Sequence, residues 1–304
     1  MAIHRSYNFA KLYRQVARVV AKIEWANPTG SMKDKMAKAV IVHAEADGCI
    51  RPGDTVVEYT SGTTEISLAL ACTAKGYRFH AVTSDAFSDE KRLTMKAFGA
   101  KITDVPSVNK QITEKLIKEM IEVTYQISKQ PGYWRSDQLS NRDAILGYYP
   151  LGEEIWNQLS GQVDAFIHVV GTAHSIHGAT RALRKHKSNI HVTAVEPTES
   201  AVLSGKPTGA HQIEGIGIGF IPPLWEPKEV DEILTVSTEE AKEMARRLTR
   251  EEGIFAGTSS GANVVAAIQV AKRLGPKATV ATIMVDSGLR YLSTDLYRGN
   301  ETLH

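Results

Sequence analysis

The chain has 304 residues, 42% of them hydrophobic and 23% charged, which is enough for one large domain or two smaller ones. Its 36 basic residues nearly cancel its 34 acidic ones, and a net charge of +2 leaves no electrostatic footprint for nucleic acid. The two cysteines, Cys49 and Cys72, build neither a disulfide framework nor a metal site, and no apolar run approaches the roughly 18 residues of a membrane helix, so a cytoplasmic protein without a membrane partner is expected.

Residues 1–16 are the least informative: Phe9, Leu12, Tyr13 and Val16 suit one face of a packed helix, and the basic start lacks the apolar core of a secretory signal. The stretch Asn27-Pro28-Thr29-Gly30-Ser31-Met32-Lys33-Asp34-Lys35 is the centre of the chain. An alternating apolar strand over 19–23 enters it, and Pro28 and Gly30 turn the chain. Met36, Ala37, Val40, Ile41 and Ala44 leave it at helical spacing. Ser31 is placed as the N-cap, with Asp34 completing a capping box. Lys33 then lies in the first helical turn, where the macrodipole opposes a cation and lowers its pKa. An amine of lowered pKa suits Schiff-base chemistry, although a surface lysine at a helix start fits the same pattern.

Turn residues at Asp47-Gly48 and Arg51-Pro52-Gly53-Asp54 precede a strand over 55–59. The strand runs into Thr60-Ser61-Gly62-Thr63-Thr64-Glu65 and an apolar helix over 66–74. Free amides at such a turn suit an anion, and its hydroxyls equally suit a plain helix cap. A βα pattern comes next: strand 79–83, helix 89–98, strand 101–105, and an amphipathic helix 112–127 whose charged face is solvated. The segment Trp134-Arg135-Ser136-Asp137-Gln138-Leu139-Ser140-Asn141 then precedes a helix over 151–159.

A strand of buried type over 164–170 delivers Gly171-Thr172-Ala173-His174-Ser175 to a helix beginning near Ile176. This is the geometry of a phosphate cradle, without the lysine of a Walker loop or the three glycines of a dinucleotide site. The cradle keeps its backbone donors if positions 173 and 174 need no positive φ, and His174 can add a donor. His168, His174 and His177 lack a carboxylate or cysteine to complete a ligand set, so no metal is expected. A strand over 191–195 leads into an aperiodic stretch, 198–229, of a length that usually carries function. Within it, Glu214-Gly215-Ile216-Gly217-Ile218-Gly219-Phe220 has alternate glycines that let backbone approach a flat ligand, the alternative being an irregular surface loop. A strand over 230–236, a Ser237–Glu240 capping box and a helix over 239–252 come after it. Gly257-Thr258-Ser259-Ser260-Gly261-Ala262-Asn263 heads a helix to Leu274, and the last strand, 279–285, ends at Asp286.

In this order the motifs resemble those of fold-type II pyridoxal phosphate (PLP) enzymes, the cysteine synthase and cystathionine β-synthase family, over residues 17–298. No haem-binding or regulatory extension is evident, which favours the cysteine synthase side. The resemblance implies an α/β fold of the tryptophan synthase β type, two open twisted domains with the cofactor in the cleft between them. The larger, PLP-binding domain would comprise 1–35 plus 138–304 and the smaller, mobile one 36–137. By the same resemblance Lys33 carries PLP and acts as base, and Thr63 faces the cofactor's 3′-oxygen in place of the family's asparagine. Gly171, Thr172, Ala173, His174 and Ser175 hold the phosphate, and Ser259 meets the pyridine nitrogen. Thr60, Ser61, Gly62 and Thr64 bind the substrate carboxylate, helped by Gln138, while Gly215 lies against the substrate. Glu65 stands where the family has glycine, and the family's N-terminal Gly-Asn-Thr-Pro-Leu segment is missing.

The implied activity is β-replacement on an O-acetyl-L-serine-like amino acid by sulfide or another nucleophile, through an α-aminoacrylate, giving L-cysteine or an analogue. A cytoplasmic homodimer is the implied state. Two alternatives stay open: a β-eliminating lyase of the cysteine desulfhydrase or serine/threonine dehydratase kind, and a PLP-binding protein impaired by Thr63 and Glu65.

Overall fold

The computed structural model describes residues 17–60 and 62–298. The helix face at Phe9, Leu12, Tyr13 and Val16, and Ser61 of the hydroxyl-rich turn, lie outside the described residues. In chain order the first elements are β1 (Arg18–Ile23), α1 (Lys33–Ala46), β2 (Thr55–Tyr59), α2 (Thr63–Lys75), β3 (Arg78–Ser84), α3 (Asp89–Ala97) and β4 (Lys101–Val105). Next come α4 (Glu114–Ser128), β5 (Tyr133–Arg135), α5 (Asp143–Leu146), α6 (Tyr149–Gln158), β6 (Ala165–Val169) and α7 (His174–His186). The chain continues with β7 (His191–Pro197), β8 (Glu232–Val236), α8 (Thr238–Glu252), α9 (Thr258–Leu274) and β9 (Thr279–Met284).

The strands make two all-parallel sheets, β1-β9-β6-β7-β8 and β4-β3-β2-β5. Parallel strands joined by helices are covered on both faces, which is why β2, β6 and β9 are buried at every position and read as mostly apolar runs without alternation. Each sheet has its own apolar core, and α1 belongs to both. Met36 and Val40 on one stripe of α1 pack into the larger core, and Ala37, Ile41 and Ala44 on the next stripe pack into the smaller. Among the described residues no helix is long and apolar enough to cross a membrane.

The observed elements match the sequence reading except for the short β5 and α5, which it does not contain, and at a few ends. β5, three half-buried residues pairing with positions 55–57 of β2, has no counterpart in the reading, because so short a strand shows no alternation. α4 starts at Glu114 instead of 112, because the Thr113 hydroxyl accepts the Leu116 amide and caps it there. The capping box on α8 forms as read, Ser237 and Glu240 each accepting the other's backbone amide. The one expected on α1 does not: Met32 takes the cap position in helical geometry, and the Asp34 carboxylate is used elsewhere.

Candidate active site

The turn before α1 is tied to the end of β9. Met32 N–H donates to the Val285 carbonyl at 3.0 Å, and Ser287 N–H donates to the Gly30 carbonyl at 3.1 Å. Asp34 accepts the Thr29 amide (2.8 Å), the Thr29 hydroxyl (2.5 Å) and the Ser67 hydroxyl of α2 (2.6 Å), so the first turn of α1 is braced against α2. Ser31 Oγ still accepts the Lys33 amide at 3.3 Å. Lys33 is thereby fixed where the two sheets face each other. It is half-buried and lines two small cavities. Desolvation pushes its amine down to about 8, against the pull of the Asp286 carboxylate.

One cavity is bounded by Lys33, Thr63, His168, Ser175, Gly215 and Ser259. The other is bounded by Lys33, Thr60, Thr64, Gln138, Thr172 and Gly215, with Gly171 also in its wall. Residues picked from separate motifs thus share two adjoining spaces. A cleft of about 300 Å³ between Ser88, Lys242 and Tyr291 shares Glu214 with the first cavity and Ile112 with the second. Gly215 sits at φ +88°, and a Cβ built on it would meet nothing within 4 Å, so its backbone is an open floor for a flat group. Gly171 is needed for the opposite reason: a Cβ there would come within 2.5 Å of the Gly215 carbonyl.

The cradle after β6 differs from its expectation in one respect. Ala173 takes φ +70°, the left-handed conformation, so α7 begins at His174, two residues earlier than read. The first-turn amides of α7 are thereby aimed out of the helix without an intrahelical acceptor, the arrangement that binds an anion. A left-handed alanine costs about 1–2 kcal/mol, partly offset by the lower unfolded-state entropy of alanine relative to glycine. Ala173→Gly is therefore expected to raise the thermal midpoint slightly, by about 2 °C, in a calorimetric scan. The His174 ring lines neither cavity, its Nδ1 is 2.9 Å from Thr172 Oγ1, and burial with Lys33 nearby pushes it down to about 3, so it is neutral.

Gln138 reaches the second cavity from a short loop after β5, with its amide donating to the Tyr59 carbonyl and its backbone N–H to Glu58. Asp137 beside it is at φ +52° and turns away to pair with Arg135 at 2.9 Å. Gly62 caps α2 with the Lys91 side chain laid against it, and lines neither cavity. Glu65 is fully buried and also lines neither cavity. Burial holds its carboxyl well above the usual range, with Glu58 adding to the shift, so the charged form is disfavoured there. The motifs assign no role to three further wall residues, His168, Glu214 and Asp286, which approach Lys33 only through tertiary folding.

A lysine amine of depressed pKa between two parallel sheets, above a glycine floor and beside a helix-terminal anion cradle, is the arrangement of an enzyme that works through a lysine-bound carbonyl cofactor. The sequence matches the family of pyridoxal-phosphate dependent enzymes over residues 2–286. A cysteine synthase of Staphylococcus aureus (strain Mu50 / ATCC 700699) is 41% identical over 283 residues, covering 92% of this chain and 89% of the relative. The structure of a cysteine synthase (OASS) from Entamoeba histolytica superposes with a TM-score of 0.85 at 36% identity, covering 93% of this chain and 82% of that one. An O-acetylserine-dependent cystathionine β-synthase from Helicobacter pylori gives a TM-score of 0.89 at 33% identity, covering 97% of both chains. The chain belongs to the pyridoxal-phosphate dependent enzyme family, with the fold-type II architecture. The site suits that cofactor: the open Gly215 floor, the α7 amides, the Ser175 and Ser259 hydroxyls and the Lys33 amine are the donor set a phosphorylated pyridine aldehyde requires.

Proposed function

We propose that the chain catalyses β-replacement on an O-activated L-serine of the O-acetyl-L-serine kind, with sulfide or another small nucleophile giving L-cysteine or an analogue. The observation that carries this reading is the position of Lys33 in the wall common to both cavities. On one side are Ser175, Gly215 and Ser259, suited to a cofactor; on the other are Thr60, Thr64 and Gln138, suited to an amino-acid carboxylate. PLP supplies an electron sink for the pair left when a Cα–H bond breaks. Lys33 would hold it through the amine and, once displaced by the substrate amine, take the α-proton. The first-turn amides of α2, with the Thr60 and Thr64 hydroxyls, would orient the substrate carboxylate. Ser259 presents a neutral hydroxyl where a carboxylate would keep the ring nitrogen protonated, which favours loss of a β-substituent over transamination.

We also take residues 36–137 as the mobile unit, moving against 1–35 plus 138–304, in a cytoplasmic homodimer. The separate core of each sheet supports the first point, with α1 as the shared element, and two unpaired cysteines suit a reducing compartment. The visible absorption of the purified protein tests the activity. A yellow protein whose band shifts on O-acetyl-L-serine, releases acetate, and returns on adding sulfide with formation of cysteine is the expected result. Pyruvate without cysteine would assign elimination instead, and a protein that stays colourless with added PLP would overturn the reading.

A further inference from the structure

His168 sits in the cofactor cavity beside Ser175, and its surroundings settle where its proton lies. The residue is on β6, fully enclosed, with Nε2 2.8 Å from Ser175 Oγ and Nδ1 3.3 Å from Asn263 Nδ2. Asn263 is itself fixed in orientation: its Oδ1 accepts the Val169 amide at 2.8 Å, and its Nδ2 donates to the Ile283 carbonyl at 2.7 Å. An amide nitrogen carries only donors, so the second Nδ2 proton points at His168 Nδ1, which must accept. A neutral imidazole that accepts at Nδ1 carries its proton on Nε2. Burial, with Lys33 nearby, pushes the ring down to about 3, so it is neutral at any working pH. The Nε2 proton is then given to Ser175 Oγ, and the serine's own proton is left to point into the cavity.

We propose that His168 is a positioning residue: through the chain Asn263–His168–Ser175 it fixes the Ser175 hydroxyl as a donor toward a phosphate seated on the first turn of α7. The inference rests on the PLP reading of the same site and adds what sets the polarity of its cradle. A serine free to rotate would spend part of its time presenting a lone pair to an anion. The locked one adds a charge-assisted donor to the helix amides. The device takes its three residues from one strand and two helices, β6, α7 and α9, which no local motif contains.

The test uses the whole protein. Selective ¹⁵N-histidine NMR is expected to show that the histidine signal lost in His168→Phe is one with protonated Nε2 and bare Nδ1; a protonated Nδ1 at that residue would overturn the proposal. Equilibrium dialysis against PLP is expected to give about tenfold weaker binding for His168→Phe and for Ser175→Ala, with the double variant little weaker than either single one. The ³¹P resonance of the bound phosphate is expected to move in both single variants. Binding by His168→Phe at the wild-type constant, or strictly additive losses, would assign His168 a packing role and overturn the proposal. Wild-type protein that does not bind PLP at all would instead overturn the cofactor reading on which it rests. Where His168→Phe folds poorly, His168→Gln makes the same assignment.

Discussion

Lys33→Ala is expected to lower turnover by about 10³-fold or more while leaving the protein folded. The amine is asked to hold the cofactor and to move the α-proton, and among the described residues no other lysine lines either cavity. The fold does not depend on it, because the turn that places Lys33 is held by Asp34, Ser31 and the Val285 and Gly30 backbone contacts. Steady-state turnover, visible absorbance after dialysis against PLP and a circular-dichroism melt together check the claim. Lys33→Arg should not rescue, since a guanidinium keeps the charge but loses the nucleophilic nitrogen. The depressed pKa adds a pH signature. Only the neutral amine reacts with an aldehyde, so cofactor uptake by the apoprotein should rise with pH, reach half its limit near 8 and level off above. Uptake that is flat between about pH 6 and 10 would contradict the low pKa.

The architecture is legible in the sequence because each βα unit repeats one physical pattern: an apolar run, a turn of small and hydroxyl residues, and a helical stripe. Lys33, Thr60, Thr64, Gly171 and Ser175 are legible because such turns stand at strand ends, where parallel sheets place their sites; Gly215 is legible from its alternating glycines and Ser259 from the hydroxyl-rich start of a helix. The features that escape a sequence reading depend on partners far away in the chain. Asp34 looks like a capping acid, but the hydroxyl that claims it is Ser67 on the next helix. The left-handed Ala173 is invisible in a residue type that rarely adopts that conformation. His168 reads as an isolated histidine because its orienting partner, Asn263, comes 95 residues later. Glu65 reads as a charge at a helix start, and only tertiary burial shows that its charged form is disfavoured and that it lies outside both cavity walls.

Glu65 gives the second large effect, on stability. Among the described residues both of its carboxyl oxygens are buried without a hydrogen-bond partner of normal geometry. Burial is the main cause of its raised pKa and Glu58 adds to it; Lys91 and the Thr60–Gly62 backbone oppose only in part, the Lys91 amine being paired with Glu214 at 2.5 Å. Glu58 beside it accepts the Ser136 hydroxyl at 2.6 Å and the Gln138 amide at 2.8 Å, so its carboxyl is engaged on the other side. Replacing an unpartnered buried carboxyl by an apolar chain of similar length removes a desolvation cost of about 1–3 kcal/mol. Glu65→Met is therefore expected to raise the melting midpoint by several degrees. The pH dependence carries the sign. The native state holds the Glu65 proton at pH values where the unfolded chain, with its ordinary carboxyl value of 4.5, has released it. The native state thus binds more protons than the unfolded one above that value, and this residue makes stability fall as pH rises toward its folded pKa. The advantage of Glu65→Met should therefore be smallest below about pH 4.5 and grow toward neutrality, which chemical denaturation at a series of pH values measures. Because Glu65 lines neither cavity, Glu65→Gly should change kcat/KM for O-acetyl-L-serine by less than about threefold. A tenfold gain would mean that the carboxyl reaches the substrate-side loop after all and that this residue, not the leaving group, limits the reaction.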